Sequence, residues 1–256
     1  MAGPRRAFDS VPGTPSAAVA DAPRPSLPKG LRVYAVGDVH GCADLLADAF
    51  ARIDADRTAS LPVRCLEIYL GDLIDRGPAS REVIDRLIER RADREVVCLK
   101  GNHEDLALRF LADPSLFPTW GKLGGRETLM SYGLMPLVRG AAEQAALARA
   151  FGAALPPSHR SFLMSLPVFQ VCGDFFFVHA GVRPGVSLER QREADLLWIR
   201  DEFLNWSDPF GKLVVHGHTP VRQPEFLPNR INIDTGAYAT GRLTCLRIEG
   251  TDLRVV

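Results

Sequence analysis

The sequence predicts an α/β fold, and three observations carry that expectation. Short apolar runs rich in branched and aromatic side chains recur along the first hundred residues, at 31–36, 65–70 and 95–99. Each run stops at a polar, glycine-bearing loop. Each loop is followed by a stretch whose apolar residues recur at helical spacing. Strand, loop and helix repeated three times describe βαβ units and a largely parallel central sheet.

Taken in order, residues 1–29 hold six prolines and six alanines with almost no large apolar side chain. Such a stretch cannot bury enough surface to offset its ordering entropy, so a disordered tail is expected over 1–29. The first strand ends at Gly37-Asp38-Val39-His40-Gly41, and Leu45, Leu46, Ala49, Phe50 and Ile53 then mark one helical face. The second ends at Gly71-Asp72-Leu73-Ile74-Asp75-Arg76-Gly77, and after Pro78 a helix carries Val83, Ile84, Leu87 and Ile88. The third ends at Gly101-Asn102-His103-Glu104, again with a helix behind it. Residues 112–166 break the rhythm with proline, glycine and helical patches at 141–151 and 158–166, which suggests a small helical cap over the sheet. Four more strand-like runs follow at 175–178, 213–215, 231–233 and 243–248, two of them ending in His179-Ala180-Gly181 and His216-Gly217-His218.

Composition narrows the function. Lys and Arg number 31 against 31 Asp and Glu, so no surplus of positive charge exists to displace phosphate counterions, and no nucleic-acid partner is expected. No apolar run reaches the roughly 18 residues needed to span a bilayer, which argues against a membrane role. The first residues lack a charged segment leading into an apolar one, so a cytoplasmic protein is expected. Five dispersed cysteines without a CxxC pair fit reduced thiols better than a disulfide framework.

In an open α/β sheet, ligands bind outside the carboxyl ends of the strands. Asp38, His40, Asp72, Asp75, Asn102, His103, His179, His216 and His218 all lie at such ends, and five of the six histidines are among them. Taken singly, a His or Asp after a strand is more often a turn former or a satisfied polar group. As a set of carboxylate, imidazole and amide donors without a thiolate, they suit Mn, Fe or Zn in a reactive site rather than a structural zinc.

The ordered blocks GDVHG, GDLIDRG, GNHE, HAG and GHT resemble those of the phosphoprotein phosphatase family of metallophosphoesterases, in particular its short bacterial and phage lambda-type members. The likeness runs from residue 31 to about residue 248. It implies a calcineurin-like βαβ sandwich of mixed sheets flanked by helices, with residues 30–256 as one catalytic domain. It implies two divalent ions, manganese in many similar bacterial enzymes, with Fe or Zn also compatible with the donors. Asp38 and His40 would hold one ion, Asp72 would bridge both, and Asn102, His179 and His218 would hold the other. Block register gives that last position to His218 and leaves His216 beside it at the strand end, with ligation by His216 the open alternative.

The same resemblance implies that Arg76, Arg200 and Asn102 bind the substrate phosphate. Arg200 rests on the short block Trp198-Ile199-Arg200, and a plain surface or capping charge is its alternative. His103 would be the general acid and Asp75 its orienting partner. A metal-bridging hydroxide would attack phosphorus in line, in a single step. The implied enzyme is a monomeric serine/threonine protein phosphatase acting on a phosphoprotein or phosphopeptide. Symmetrical dinucleoside tetraphosphatases and broad-specificity phosphoesterases share the scaffold. The former lack an aspartate where this chain has Asp75, which favours the protein-phosphatase branch. Glu104 is expected only to cap its helix, and His159 to be a surface residue. Trp120, Tyr132 and Tyr238 are either core or groove.

Overall fold

A computed structural model describes residues 24–59 and 63–256. Among these residues, ten strands form two five-stranded sheets. β1 (Leu31–Val36), β2 (Arg64–Tyr69) and β3 (Val96–Cys98) run parallel, and α1 (Ala43–Thr58) and α2 (Ser80–Asp93) connect them. After β3 the chain enters α3 (Asn102–Ala112), then α4 (Phe117–Trp120), a π-turn at Gly121–Gly125, α5 (Arg126–Ser131), α6 (Ala141–Ala154) and α7 (Pro157–Met164). β4 (Phe169–Cys172) and β5 (Phe175–Val178) open the second sheet. Past α8 (Glu193–Trp198) and α9 (Asp201–Leu204) it is completed by β6 (Leu213–His216), β7 (Glu225–Phe226) and β8 (Arg230–Asn232). After α10 (Ala237–Thr240), β9 (Cys245–Glu249) and β10 (Asp252–Val255) return to the first sheet. The strand orders are β10-β9-β1-β2-β3 and β4-β5-β6-β8-β7.

The period-two alternation of the strands builds the layers. On β1, Val33 and Ala35 point at the second sheet, whereas Tyr34 and Val36 point at the helices. On β5, Phe175 and Phe177 face the first sheet, and Phe176 and Val178 meet Leu196 and Phe203 of α8 and α9. The order is helices, sheet, sheet, helices. Each fully buried phenylalanine contributes on the order of 1.5–3 kcal/mol through removal from water.

Six strands, β1, β2, β3, β5, β6 and β8, bear out the parallel reading. The other four do not: β9 and β10, and likewise β4 and β7, pair antiparallel. β4, β7 and β10, absent from the sequence reading, are only two to four residues long and lie at sheet edges.

Three expectations need correction or limits. Residues 1–23 of the predicted tail lie outside the described residues, but 24–29 are packed: Leu27 is buried, its N–H donates to Gly250 O at 2.9 Å, and Ser26 N donates to Asp174 at 3.0 Å. The 112–166 segment is not a lid over the sheet. Its helices extend the flanking layer beside α2 and α3, with Trp120 between Phe110 (5.0 Å) and Phe151 (5.7 Å). His159, read as a surface residue, is buried there, with Nδ1 2.8 Å from Tyr132 Oη and Nε2 2.7 Å from Asp85 Oδ1.

Candidate metal centre and phosphoester site

All six parallel strands end at one cleft, and the predicted residues meet there. Asp38 and His40 follow β1, Asp72 follows β2, Asn102 and His103 form the first turn of α3, His179 follows β5 and His218 follows β6. Every one of these seven side chains is buried. Asp72 lies at the centre. Its Oδ2 is 3.5 Å from His40 Nε2 and 3.6 Å from His103 Nε2, while its Oδ1 is 3.3 Å from His179 Nε2. His179 Nε2 is in turn 3.0 Å from Asn102 Oδ1 and 3.1 Å from His218 Nδ1. Two candidate ligand groups share Asp72: His40, Asp72 and His103 on one side, and Asp72, His179 and His218 on the other.

The protonation pattern explains why these atoms can sit so close only around a cation. His40 Nδ1 lies 3.0 Å from Ile74 O and His179 Nδ1 lies 2.9 Å from Leu70 O, so each ring carries its proton on Nδ1 and leaves a bare lone pair on Nε2. Burial keeps His40 neutral, with its pKa lowered to about 3, and His218 likewise, lowered to about 2. Lone pairs of His179, Asn102 and Asp72 therefore converge with no proton to share, which is a divalent-ion environment. Asp38 adds a carboxylate whose Oδ2 accepts from the His218 N–H at 3.0 Å and whose buried Oδ1 has no hydrogen-bond partner. Gly217 packs on that carboxylate so closely that any Cβ would strike Asp38 Oδ1. The donor set fits metal.

Charge is crowded here. Burial, then Asp234 and Asp72, push the Asp38 carboxyl well above its usual range. Burial also opposes ionisation of Asp72, but the charge on His103, foremost, outweighs that and holds its carboxyl well below the usual range. The backbone is strained as well. Among the described residues the non-glycine positive-φ positions are His40, Asp72, Asp75, Arg76 and His218, all of them in the site.

Asp75 and Arg76 complete one wall. Asp75, fully buried, accepts from His103 Nδ1 at 2.7 Å, which turns the ring's Nε2 towards Asp72 and the cleft. Burial disfavours charge on His103, yet Asp72 and Asp75 together raise its pKa above the usual histidine value. Arg76 reaches within 3.4 Å of His103 Nε2, and its guanidinium lies 4.6 Å over the Tyr238 ring, which is 44% exposed at the cleft mouth. Arg200 stands on the opposite rim, exposed, donating to Thr219 Oγ1 at 3.3 Å beside His218. His216 is not gathered in. Its Nδ1 faces Gly217 O at 3.0 Å, its ring packs edge-on to Phe203 at 4.8 Å, and burial lowers its pKa to about 3.

Two residues carry more than their sequence context suggested. Glu104 does cap α3, taking the Gly101 N–H at 2.8 Å. Its carboxylate also collects the N–H groups of Asp72 (3.0 Å), Leu73 (2.8 Å) and Ile74 (3.2 Å), and so folds the loop that presents Asp72. Asp234 is a further buried carboxylate beside Asp38, and burial pushes its pKa up to about 6. Its signal was the one that marked the others, since the apolar run at 231–233 ends at Asp234.

Among the described residues no helix is long and apolar enough to cross a membrane. Comparison with known proteins agrees with the architecture. The chain is 27% identical over 231 residues to a bis(5′-nucleosyl)-tetraphosphatase PrpE (asymmetrical) of Anoxybacillus flavithermus, covering 83% of this chain and 88% of that protein. A crystal structure of a candidate diadenosine tetraphosphatase superposes with a TM-score of 0.60 at 24% identity, over 88% of this chain and 92% of the other. The cold-active protein-tyrosine phosphatase of a psychrophilic Shewanella superposes at 0.55 with 16% identity, over 94% and 85%. The family description "Calcineurin-like phosphoesterase" matches residues 31–250, and with its two mixed sheets and shared-aspartate cleft the chain belongs to that metal-dependent family of phosphoester hydrolases.

Proposed function

We propose that the chain hydrolyses phosphate monoesters, with phosphoserine and phosphothreonine in proteins as substrates. The observation that carries this reading is the buried Asp75–His103 pair at 2.7 Å, whose Nε2 points towards Asp72 and the cleft. A serine or threonine alkoxide leaves poorly and needs a proton from a positioned acid. A nucleotide phosphate, whose last proton is lost near pH ~6, needs none. A site that invests a buried carboxylate in charging an imidazole is suited to the harder leaving group.

Asp38, His40, Asp72, Asn102, His179 and His218 would hold two divalent ions. When bound, such ions supply a nucleophile from water near neutral pH and neutralise charge on the phosphoryl oxygens. Arg76 and Arg200, on opposite rims, offer planar forks to those oxygens. As an imidazolium that Asp75 stabilises through the Nδ1–H bond, His103 donates a proton from Nε2 to the departing oxygen. Manganese is the ion we would supply first.

A second reading has its own support. Relatives at this level of identity are named tetraphosphatases. Beside Arg76 a cavity of about 430 Å³, lined also by Lys122, Glu127 and Tyr238, offers an aromatic ring and a cation to a nucleotide. A substrate panel with purified protein and Mn separates the two. We expect kcat/KM for phosphoserine and phosphothreonine peptides at least tenfold above that for phosphotyrosine peptides and diadenosine tetraphosphate. Cleavage of the dinucleotide alone would reverse the assignment and leave the metal site intact.

A further inference from the structure

We propose that Trp120 and Thr128, both contributed by the 112–166 segment, are positioning residues that lock the Asp75 carboxylate against His103 and so aim the ring at the leaving group. The proposal rests on the reading of His103 as the proton donor.

The contacts are specific. Thr128 Oγ1 donates to Asp75 Oδ1 at 2.6 Å. The Asp75 N–H is shared between Thr128 Oγ1 at 2.9 Å and Ser80 Oγ at 3.0 Å. Trp120 Nε1 donates to Asp75 Oδ2 at 2.8 Å, the same oxygen that takes the His103 Nδ1 proton. Neither side chain is exposed: Trp120 is 0% and Thr128 1% accessible. Three donors from three elements leave the carboxylate no freedom to turn away from the imidazole.

Packing alone does not account for the residue types. Trp120 sits among Phe110, Phe117 and Phe151, where another phenylalanine would supply the apolar volume. What the indole adds is its N–H, and that proton goes to Asp75. The backbone of Asp75 also needs holding, because Asp75 (φ 71°) and Arg76 (φ 68°) are consecutive left-handed residues. Each such conformation is disfavoured for a residue that carries a Cβ. The same segment braces the second of them, since Arg76 N–H donates to Gly124 O at 3.2 Å. Gly124 can approach because it is a glycine at φ +112°, where a Cβ would strike the Arg76 backbone. Just past α5, Tyr132 meets His159, and His159 meets Asp85 of α2, so the brace is anchored to the body of the fold.

The test uses the metal-loaded full chain with Thr128→Val, which keeps shape, Thr128→Ser, which keeps the hydroxyl, and Trp120→Phe, which keeps the ring. His103→Asn is the reference. Each is assayed on a phosphoserine peptide and on 2,4-dinitrophenyl phosphate, whose leaving group needs no proton. We expect Thr128→Val and Trp120→Phe to lose about 10- to 100-fold in kcat on the peptide, with KM and dinitrophenyl phosphate turnover within about threefold of the parent. Thr128→Ser should restore the peptide rate. A second readout is structural: the hydrogen-bonded Nδ1 proton of His103, identified in the NMR spectrum by its absence from His103→Asn, should broaden or vanish in Thr128→Val and Trp120→Phe. If that resonance is unchanged in both variants, the positioning claim fails. Equal losses on both substrates also overturn it, because they report general damage or metal loss. If His103→Asn itself shows no preference between the substrates while the resonance is lost in the variants, the proton-donor reading is what fails.

Discussion

Two buried polar regions of this protein invite comparison. Between the first sheet and α1 and α2, Glu67 lies fully buried with Arg90 Nη2 at 2.8 Å, Arg90 Nε at 3.0 Å and Tyr69 Oη at 2.9 Å. Arg90 also forks onto Asp54 at 2.7 and 2.8 Å. The carboxylates there meet guanidinium groups from the same chain, on regular strand and helix backbone. At the strand ends that line the cleft, Asp38, Asp72 and Asp234 meet imidazoles, an amide and each other, Asp72 on left-handed backbone, and Asp38 Oδ1 has no hydrogen-bond partner. Both regions bury negative charge, but only the first pairs each of its carboxylates directly with a guanidinium. A region that answers its own charge stabilises the fold, whereas a region that leaves lone pairs facing one another waits for an ion. Burial and ionisable content do not separate the two. Partner chemistry does.

Substitutions at the two centres should break that symmetry most sharply. Asp72→Asn is expected to lower activity by on the order of 10³-fold, since a bound ion contributes several kcal/mol to the reaction, and to reduce bound metal measured after desalting. Glu67→Gln should leave metal content and activity per folded molecule unchanged while lowering unfolding free energy by about 1.5–3 kcal/mol, because Arg90 keeps only Asp54 of its two carboxylate partners. Loss of metal in Glu67→Gln, or full metal in Asp72→Asn, would contradict the division.

A smaller effect is expected at His103. Its raised pKa means that the proton needed by a poor leaving group is present at low pH and lost as pH climbs past a point above the ordinary histidine value of 6.5. The rate on a phosphoserine peptide should therefore fall along an alkaline limb that is absent for dinitrophenyl phosphate. In His103→Asn the limb should disappear and the peptide rate drop by about 10²-fold. A limb that survives the substitution would assign the titration to another group.

The smallest change is expected at the adjacent histidines. His218→Ala should cost one bound ion, whereas His216→Ala, at a ring packed on Phe203, should keep both and lose only stability. Metal counting on the two variants decides between them, and the reverse outcome would shift the ligand register by one strand-end position.

Much of this was legible in the linear chain. Strand β1 coincides with its apolar run, and Asp38, His40, Asp72, Asn102, His179 and His218 all lie where apolar runs stop. Apolar periodicity and its interruption are local properties, and parallel strands necessarily gather their carboxyl ends at one edge. The edge strands β4, β7 and β10 were not legible, because two to four residues are too few to set an alternation apart from the surrounding sequence. Nor was the packing of Leu27, whose apolar side chain sits in a proline-rich stretch that composition alone reads as tail.

By itself, then, the sequence determined which residue types stand at which strand ends, and with them the family and the chemistry it performs. Only the tertiary structure decided that Asp72 turns one oxygen towards each histidine group, that His218 rather than His216 faces His179, and that Glu104 folds the Asp72 loop. It also decided that Trp120 and Thr128 hold Asp75 across 45 and 53 residues of chain. Such contacts arise when distant segments dock, and a hydrogen bond that spans fifty residues leaves no period in the sequence to read.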